Sequence, residues 1–333
     1  MTALYAKGTT MDKSVESIFK SLSQVEEYLA KQPPADLQRC LRLCFLGMMS
    51  MPYLDAKLDE GKILKMMLAK SLSPAEPDLF ADSVEELSRH TKERKTVDAL
   101  SALNNNWPDE LSNKKFALAA AFEPLLPLFP QMDELLQTVD KLSDVKRDNL
   151  LSDGQNESDT LHILKVCVWL LAVQPYLQHE IKLSRALELA LLHDFVEARS
   201  GDFSLSAQIA YAGLKLEKKR KELEAIMYYR VSLPAPFNNT VFNAYEEYEE
   251  RGTPESKLIW ALDKLDANWQ ANRYRGGDVS YWADCPNGEV YYRLALEYKP
   301  QIAAMEEPVL TKLEKAIVAM SKANIAKCGI EVK

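Results

Sequence analysis

Leu183 to Asp202 reads LSRALELALLHDFVEARSGD. Its apolar residues recur at three- and four-residue spacing, the period of a helix that buries one face. The apolar run stops at His193-Asp194, and Glu197, Gly201 and Asp202 follow. In the middle of a helix, adjacent side chains diverge by about 100°. At a helix end, where the backbone leaves helical geometry, both can enter one pocket. A lone histidine on an apolar helix is usually a satisfied core residue. Here the carboxylates that follow it point to a site.

Outward from this stretch, the same spacing governs most of the chain. Only 11 glycines are present in 333 residues. An α/β protein needs more residues tolerant of positive φ in its turns, so the fold class is all-α. A hydrophobic fraction of 47% with 27% charged residues supplies two helical cores of ordinary size. The net charge of −8 argues against a nucleic-acid surface. The one basic run, Lys218-Lys219-Arg220-Lys221, lies among Glu217, Glu222 and Glu224 and reads as a solvated helix face. Five cysteines form no CxxC pair; Cys40, Cys44 and Cys167 sit in apolar helical runs and read as reduced core thiols. No membrane span or leader is legible. A soluble, cytoplasmic protein is expected.

The chain also repeats itself. Leu41 to Leu54 is LRLCFLGMMSMPYL and Leu164 to Leu177 is LKVCVWLLAVQPYL, at an offset of 123 residues that continues without a gap to Phe80 and Phe203. This predicts two tandem copies of one helical domain, residues 1–130 and 131–333, divided after Pro124, Pro127 and Pro130. The histidines are not shared. His162 falls on Arg39, His193 on Lys70, Asp194 on Ser71 and Glu197 on Pro74. The first copy therefore lacks whatever the second does with them.

Of the four histidines, His90 and His179 lie in polar surroundings and read as surface residues. His162 opens the apolar helix LHILKVCVWLLAV and would bring a third ligand to His193 and Asp194. A fourth comes from KLIWALDKLDANWQ, where Asp263 stands among Leu258, Ile259, Trp260 and Leu262. A carboxylate there is costly unless paired or bound to a cation. Asp266, one turn on, is the rival; Asp263 is preferred.

ESDTLH (Glu157–His162), LLHDFVEARSGD (Leu191–Asp202) and ALDKL (Ala261–Leu265) together resemble the H…HD…D signature of HD-domain phosphohydrolases, nearest the branch of the bacterial 5′-nucleotidases. The first copy resembles a degenerate form of the same domain. In that branch an arginine on a helix precedes the first histidine, and Arg147 stands 15 residues before His162. The resemblance implies that His162, His193, Asp194 and Asp263 bind one divalent metal ion. It implies that Glu197 orients or deprotonates the attacking water, that Arg147 holds the substrate phosphate, and that Asp202 closes the motif. Read alone, Glu197 also fits a helix-end surface residue, Asp202 a turn residue beside Gly201, and Arg147 a partner of Asp144 or Asp148. Deoxynucleotidase members often carry tryptophan after the arginine; this chain has Asp148.

Two imidazoles and two carboxylates suit Mn, Co, Ni, Fe or Zn better than Mg. The expected activity is that of a phosphomonoesterase acting on a nucleoside monophosphate or similar small phosphate. The alternative is a regulatory protein that binds metal and nucleotide without turnover. Hydrolysis of a pyrophosphate-bearing nucleotide fits less well, because Glu197 is followed by Ala198 rather than a second acid. No nucleic-acid or membrane partner is expected, and the repeat suggests a monomer paired within itself.

Overall fold

The computed structural model describes residues 12–50, 64, 68, 129–203, 208, 211–276, 278 and 298–329. The helices that matter below are α1 (Lys13–Leu29), α2 (Pro34–Ser50), α3 (Phe129–Lys141), α4 (Asp159–Val173), α5 (Leu183–Leu192), the single turn α6 (Glu197–Ser200), α7 (Ala212–Ser232), α8 (Phe237–Glu250), α9 (Pro254–Tyr274) and α10 (Pro308–Lys327). Among the described residues the sheet content is one antiparallel ribbon, β1 (Lys146–Leu150) with β2 (Asn156–Ser158). The fold is helical, as the spacing of apolar residues predicts, with this ribbon as its exception.

Helix α4 is the axis of the molecule. It packs against α1, α2, α5 and α9, so most of its residues are buried and apolar, as an enclosed helix requires. Ser158 caps its start by accepting from the backbone of Leu161, and Asp159 occupies its first turn, where a carboxylate favours the helix dipole. Trp169 is fully buried in it; truncating such a side chain to alanine costs about 3–5 kcal/mol. Helix α9 is launched by a capping box between Thr253 and Ser256 with Pro254 in its first turn. It lies across α4, α5, α8 and α10. The pair α7 and α8 closes one side, with α6 packed on α7.

The described N-terminal helices pack on this core: Phe19 of α1 stacks on Trp269 of α9 at 4.0 Å, and Phe45 of α2 meets Phe195 at 5.4 Å. Helix α2 lies 123 residues before 157–173, a stretch that holds the end of β2 and all of α4. The counterparts Lys70, Ser71 and Pro74, like His90 and Cys285, lie outside the described residues. Cys40, Cys44 and Cys167 are buried free thiols, as expected. No described helix is long and apolar enough to cross a membrane.

Candidate metal centre

Because α4 starts at Asp159, His162 falls in its first turn and points inward, with no exposed surface. His193 follows the last residue of α5. Its Nδ1 lies 2.9 Å from the carbonyl of Ala190. A carbonyl can only accept, so Nδ1 carries the proton and Nε2 is turned toward His162, whose Nε2 is 3.4 Å away. The helix ends at Leu192 and residues 193–196 form turns, at the histidine–aspartate pair as expected. His193 itself keeps helical angles, φ −57° and ψ −39°. The change comes just after it, where Phe195 bonds back to Leu192 and Glu197 to Asp194 across three residues instead of four. That tightening brings Asp194 Oδ2 within 3.3 Å of His193 Nε2 and 3.6 Å of His162 Nε2.

The two aspartates of α9 divide the work between the two nitrogens of His162. Asp263 Oδ1 meets Nε2 at 3.1 Å, and Asp266 Oδ2 meets Nδ1 at 2.9 Å. Asp263 therefore faces the other donors and Asp266 stands behind the ring. Asp266 also accepts from Trp169 Nε1 at 2.8 Å, while the second oxygen of Asp263 accepts from Tyr248 and Lys264.

The donor atoms of His162, His193 and Asp263 lie within 4.8 Å of one another, and Asp194 Oδ2 reaches both imidazoles, at 3.3 and 3.6 Å. With metal–ligand bonds of about 2.1 Å, neighbouring ligands stand about 3.0 Å apart in an octahedron and about 3.4 Å apart in a tetrahedron. The His162–Asp263 separation of 3.1 Å, His193–Asp194 of 3.3 Å and His162–His193 of 3.4 Å fall in this range.

A carboxylate-rich wall rises beside this floor. Arg147 Nη1 donates to Asp194 Oδ2 at 2.9 Å and to Asp159 Oδ1 at 3.3 Å, and its Nε lies 3.9 Å from Glu157. Arg147 lies on strand β1, not on a helix, and its partners are these buried acids rather than Asp144 or Asp148. The ribbon carries it across the start of α4. Glu197 is 3% exposed and accepts from Lys218 Nζ at 2.9 Å. This corrects the reading of the basic run. Lys218 turns into the cleft between Glu197 and Glu222, whereas Arg220 and Lys221 lie on the outer face with Glu217. Asp202 is half-buried beside Gly201, which takes φ 74°. His179 lies on the surface, where it meets Glu307. Floor and wall open into a cleft of about 280 Å³ that Asp148, Trp260 and Tyr298 also line.

The floor and the wall differ in charge. Burial raises the cost of every ion here, yet the His193 imidazole and Arg147 hold Asp194 well below the usual carboxylate range. Lys264 and His162 do the same for Asp263 against its burial. His162 is buried and near Arg147, both of which oppose its charge, but its bonds to Asp263 and Asp266 push its pKa up to about 9. On the wall burial wins: Asp159 is pushed up to about 7 despite Arg147, and Glu197 is raised well above its ordinary value despite Lys218. Asp202 is raised for the same reason.

Residues 139–301, which hold this histidine–aspartate floor, match the family model described as HD domain. The chain is similar to the 5′-deoxynucleotidase HDDC2 of Danio rerio, with 31% identity over 120 residues, covering 36% of this chain and 56% of that one. It is similar to the Homo sapiens protein of that name at 26% identity over 175 residues, covering 53% and 78%. The chain spans about half the length of the Danio rerio and Xenopus laevis relatives. Among solved structures it is similar to a predicted metal-dependent phosphohydrolase from Magnetospirillum magnetotacticum, with TM-score 0.48 and 22% identity, covering 59% of this chain and 93% of that one.

Proposed function

We propose that this chain is a metal-dependent phosphohydrolase that removes phosphate from a nucleoside monophosphate or a similar small phosphomonoester. One observation carries the reading: donor atoms of His162, His193 and Asp263 cluster within 4.8 Å, with Asp194 beside both imidazoles, on the floor of a cleft whose wall holds an arginine and a buried glutamate. The HD domain and the name of the relatives support the same class of reaction.

His162, His193, Asp194 and Asp263 would hold one divalent ion, and two imidazoles with two carboxylates favour Mn, Co, Ni, Fe or Zn over Mg. Such an ion supplies Lewis-acid charge and makes a nearby water easier to deprotonate. Glu197 takes the proton of the attacking water. Its raised pKa makes it a stronger base than an exposed carboxylate, and Lys218 fixes the direction of its carboxylate. Arg147 is permanently charged and planar, so it can grip two phosphoryl oxygens once it swings from Asp194 toward the cleft. Asp202 lines the same cleft, where its charge interacts with that of Arg147. Asp148 is exposed at the rim and offers no ring on which to stack a sugar or base. Nothing at that position therefore selects deoxyribose.

The test is phosphate release from a panel of ribo- and deoxyribonucleoside monophosphates and an aryl phosphate, with Mn, Co, Ni, Zn, Mg and EDTA arms, for wild type and Glu197→Ala. Metal-dependent release that the mutant loses supports the enzyme. Tight metal binding with no turnover on any substrate supports a binding protein instead.

A further inference from the structure

Away from the cleft, one charge stands out by its depth. Lys165, in the second turn of α4, is 2% exposed. Its Nζ lies 2.9 Å from Glu157 on β2, 3.0 Å from Asp266 on α9 and 3.8 Å from Glu26 on α1, and it also bonds Gln270. A buried ammonium is tolerated when paired. Three carboxylates exceed what one cation needs for pairing, and two of them lead directly to the candidate centre. Asp266 bonds Nδ1 of His162, and Glu157 stands 3.9 Å behind Nε of Arg147. Trp169, one turn further along α4, donates to the same Asp266 oxygen that faces Lys165.

We propose that Lys165 and Trp169 are positioning residues of the metal centre. Together they anchor Asp266 behind His162, so that the ring keeps Nε2 aimed between His193 and Asp263. Through Glu157, the same lysine steadies the arginine that would meet the phosphate. One buried cation thereby sets both the metal side and the phosphate side of the site. Glu26, which also pairs with Arg273, ties helix α1 into this support. This inference rests on the metal-dependent reading given above. Its physical basis is that the partner behind a ligating imidazole fixes which nitrogen carries the proton and how the ring is turned.

A structural role alone would lower stability and leave the affinity of the folded protein untouched. The experiment is a Co(II) titration of the full chain, followed by d–d absorption with a competing chelator, for wild type, His193→Ala, Trp169→Phe, Lys165→Gln, Lys165→Arg and Leu310→Ala. Circular dichroism and Tm accompany each titration. Leu310 is fully buried in α10, so its truncation reports destabilisation without touching the network. We expect Trp169→Phe to weaken Co(II) about 10-fold and Lys165→Gln about 10- to 100-fold, with an altered spectrum. Lys165→Arg should regain part of the loss, and Leu310→Ala should lower Tm at wild-type affinity. Wild-type affinity in both Trp169→Phe and Lys165→Gln overturns the inference alone. If Lys165→Gln does not fold, Trp169→Phe decides. A wild type that binds no Co(II), or binds it as well after His193→Ala, overturns the metal reading and this inference with it.

Discussion

The floor and the wall of the cleft are built from the same residue types and hold them in opposite states. On the floor, Asp194 and Asp263 stay ionised because imidazoles, Arg147 and Lys264 surround them. On the wall, Asp159 and Glu197 are pushed toward the protonated form because burial outweighs Arg147 and Lys218. Carboxyl groups a few ångströms apart thus become a cation seat on one side and groups of raised proton affinity on the other. Environments that push neighbouring pKa values apart mark which group takes which role.

The comparison can be broken most sharply on the floor. Asp194→Ala removes the residue that both imidazoles and Arg147 share. Metal binding and metal-dependent hydrolysis should fall together to background, as equilibrium dialysis and a phosphate assay would report. On the wall, Glu197→Gln should cut kcat about 10²- to 10⁴-fold and leave metal affinity near wild type. Equal losses of both would erase the distinction between floor and wall. Arg147→Lys keeps the charge and loses the planar fork, which costs about 1.5–3 kcal/mol in a charged hydrogen bond; steady-state kinetics should place the loss in kcat/KM.

Titration sharpens the same contrast in the metal-free protein. His162 is raised to about 9 in the folded state, so its contribution is full below its unfolded value of about 6.5 and is lost as pH rises through about 9. Asp159, raised to about 7, penalises the fold progressively between its unfolded value and about 7. Tm in EDTA should therefore fall from mildly acidic pH toward pH 9. A divalent ion replaces the proton on His162, so the stabilisation it confers should be larger at pH 9 than at pH 6. A Tm series with and without Mn(II) checks this. The smallest effect lies on α7: Arg220→Ala, on the outer face, should leave kcat unchanged, whereas Lys218→Ala two residues away should lower it.

Much of this was legible in the chain because helices write their faces in a fixed period. The apolar runs around His162 and His193 marked α4 and α5, and the carboxylate isolated among Leu258, Ile259 and Leu262 marked Asp263. Three features were not legible. Arg147 belongs to a ribbon of a few residues, too short for alternation to distinguish it from a helix end. Lys218 shares a run with three other basic residues, and only tertiary packing turns one of the four inward. Asp266 lies one turn from Asp263, so spacing alone leaves both on the same side of α9; which nitrogen of His162 each meets depends on how α4 is rotated. Lys165 did leave a trace: it is the one cation inside LHILKVCVWLL, and a charge in such a run needs partners from elsewhere.

The central claim is that His162, His193, Asp194 and Asp263 form one metal seat. The direct measurement is anomalous diffraction at the metal edge from crystals grown with Mn(II) or Co(II). A single strong peak is expected within bonding distance of His162 Nε2, His193 Nε2, Asp194 and Asp263, absent in Asp194→Ala. A peak elsewhere, or no peak at a concentration that saturates solution binding, would contradict it.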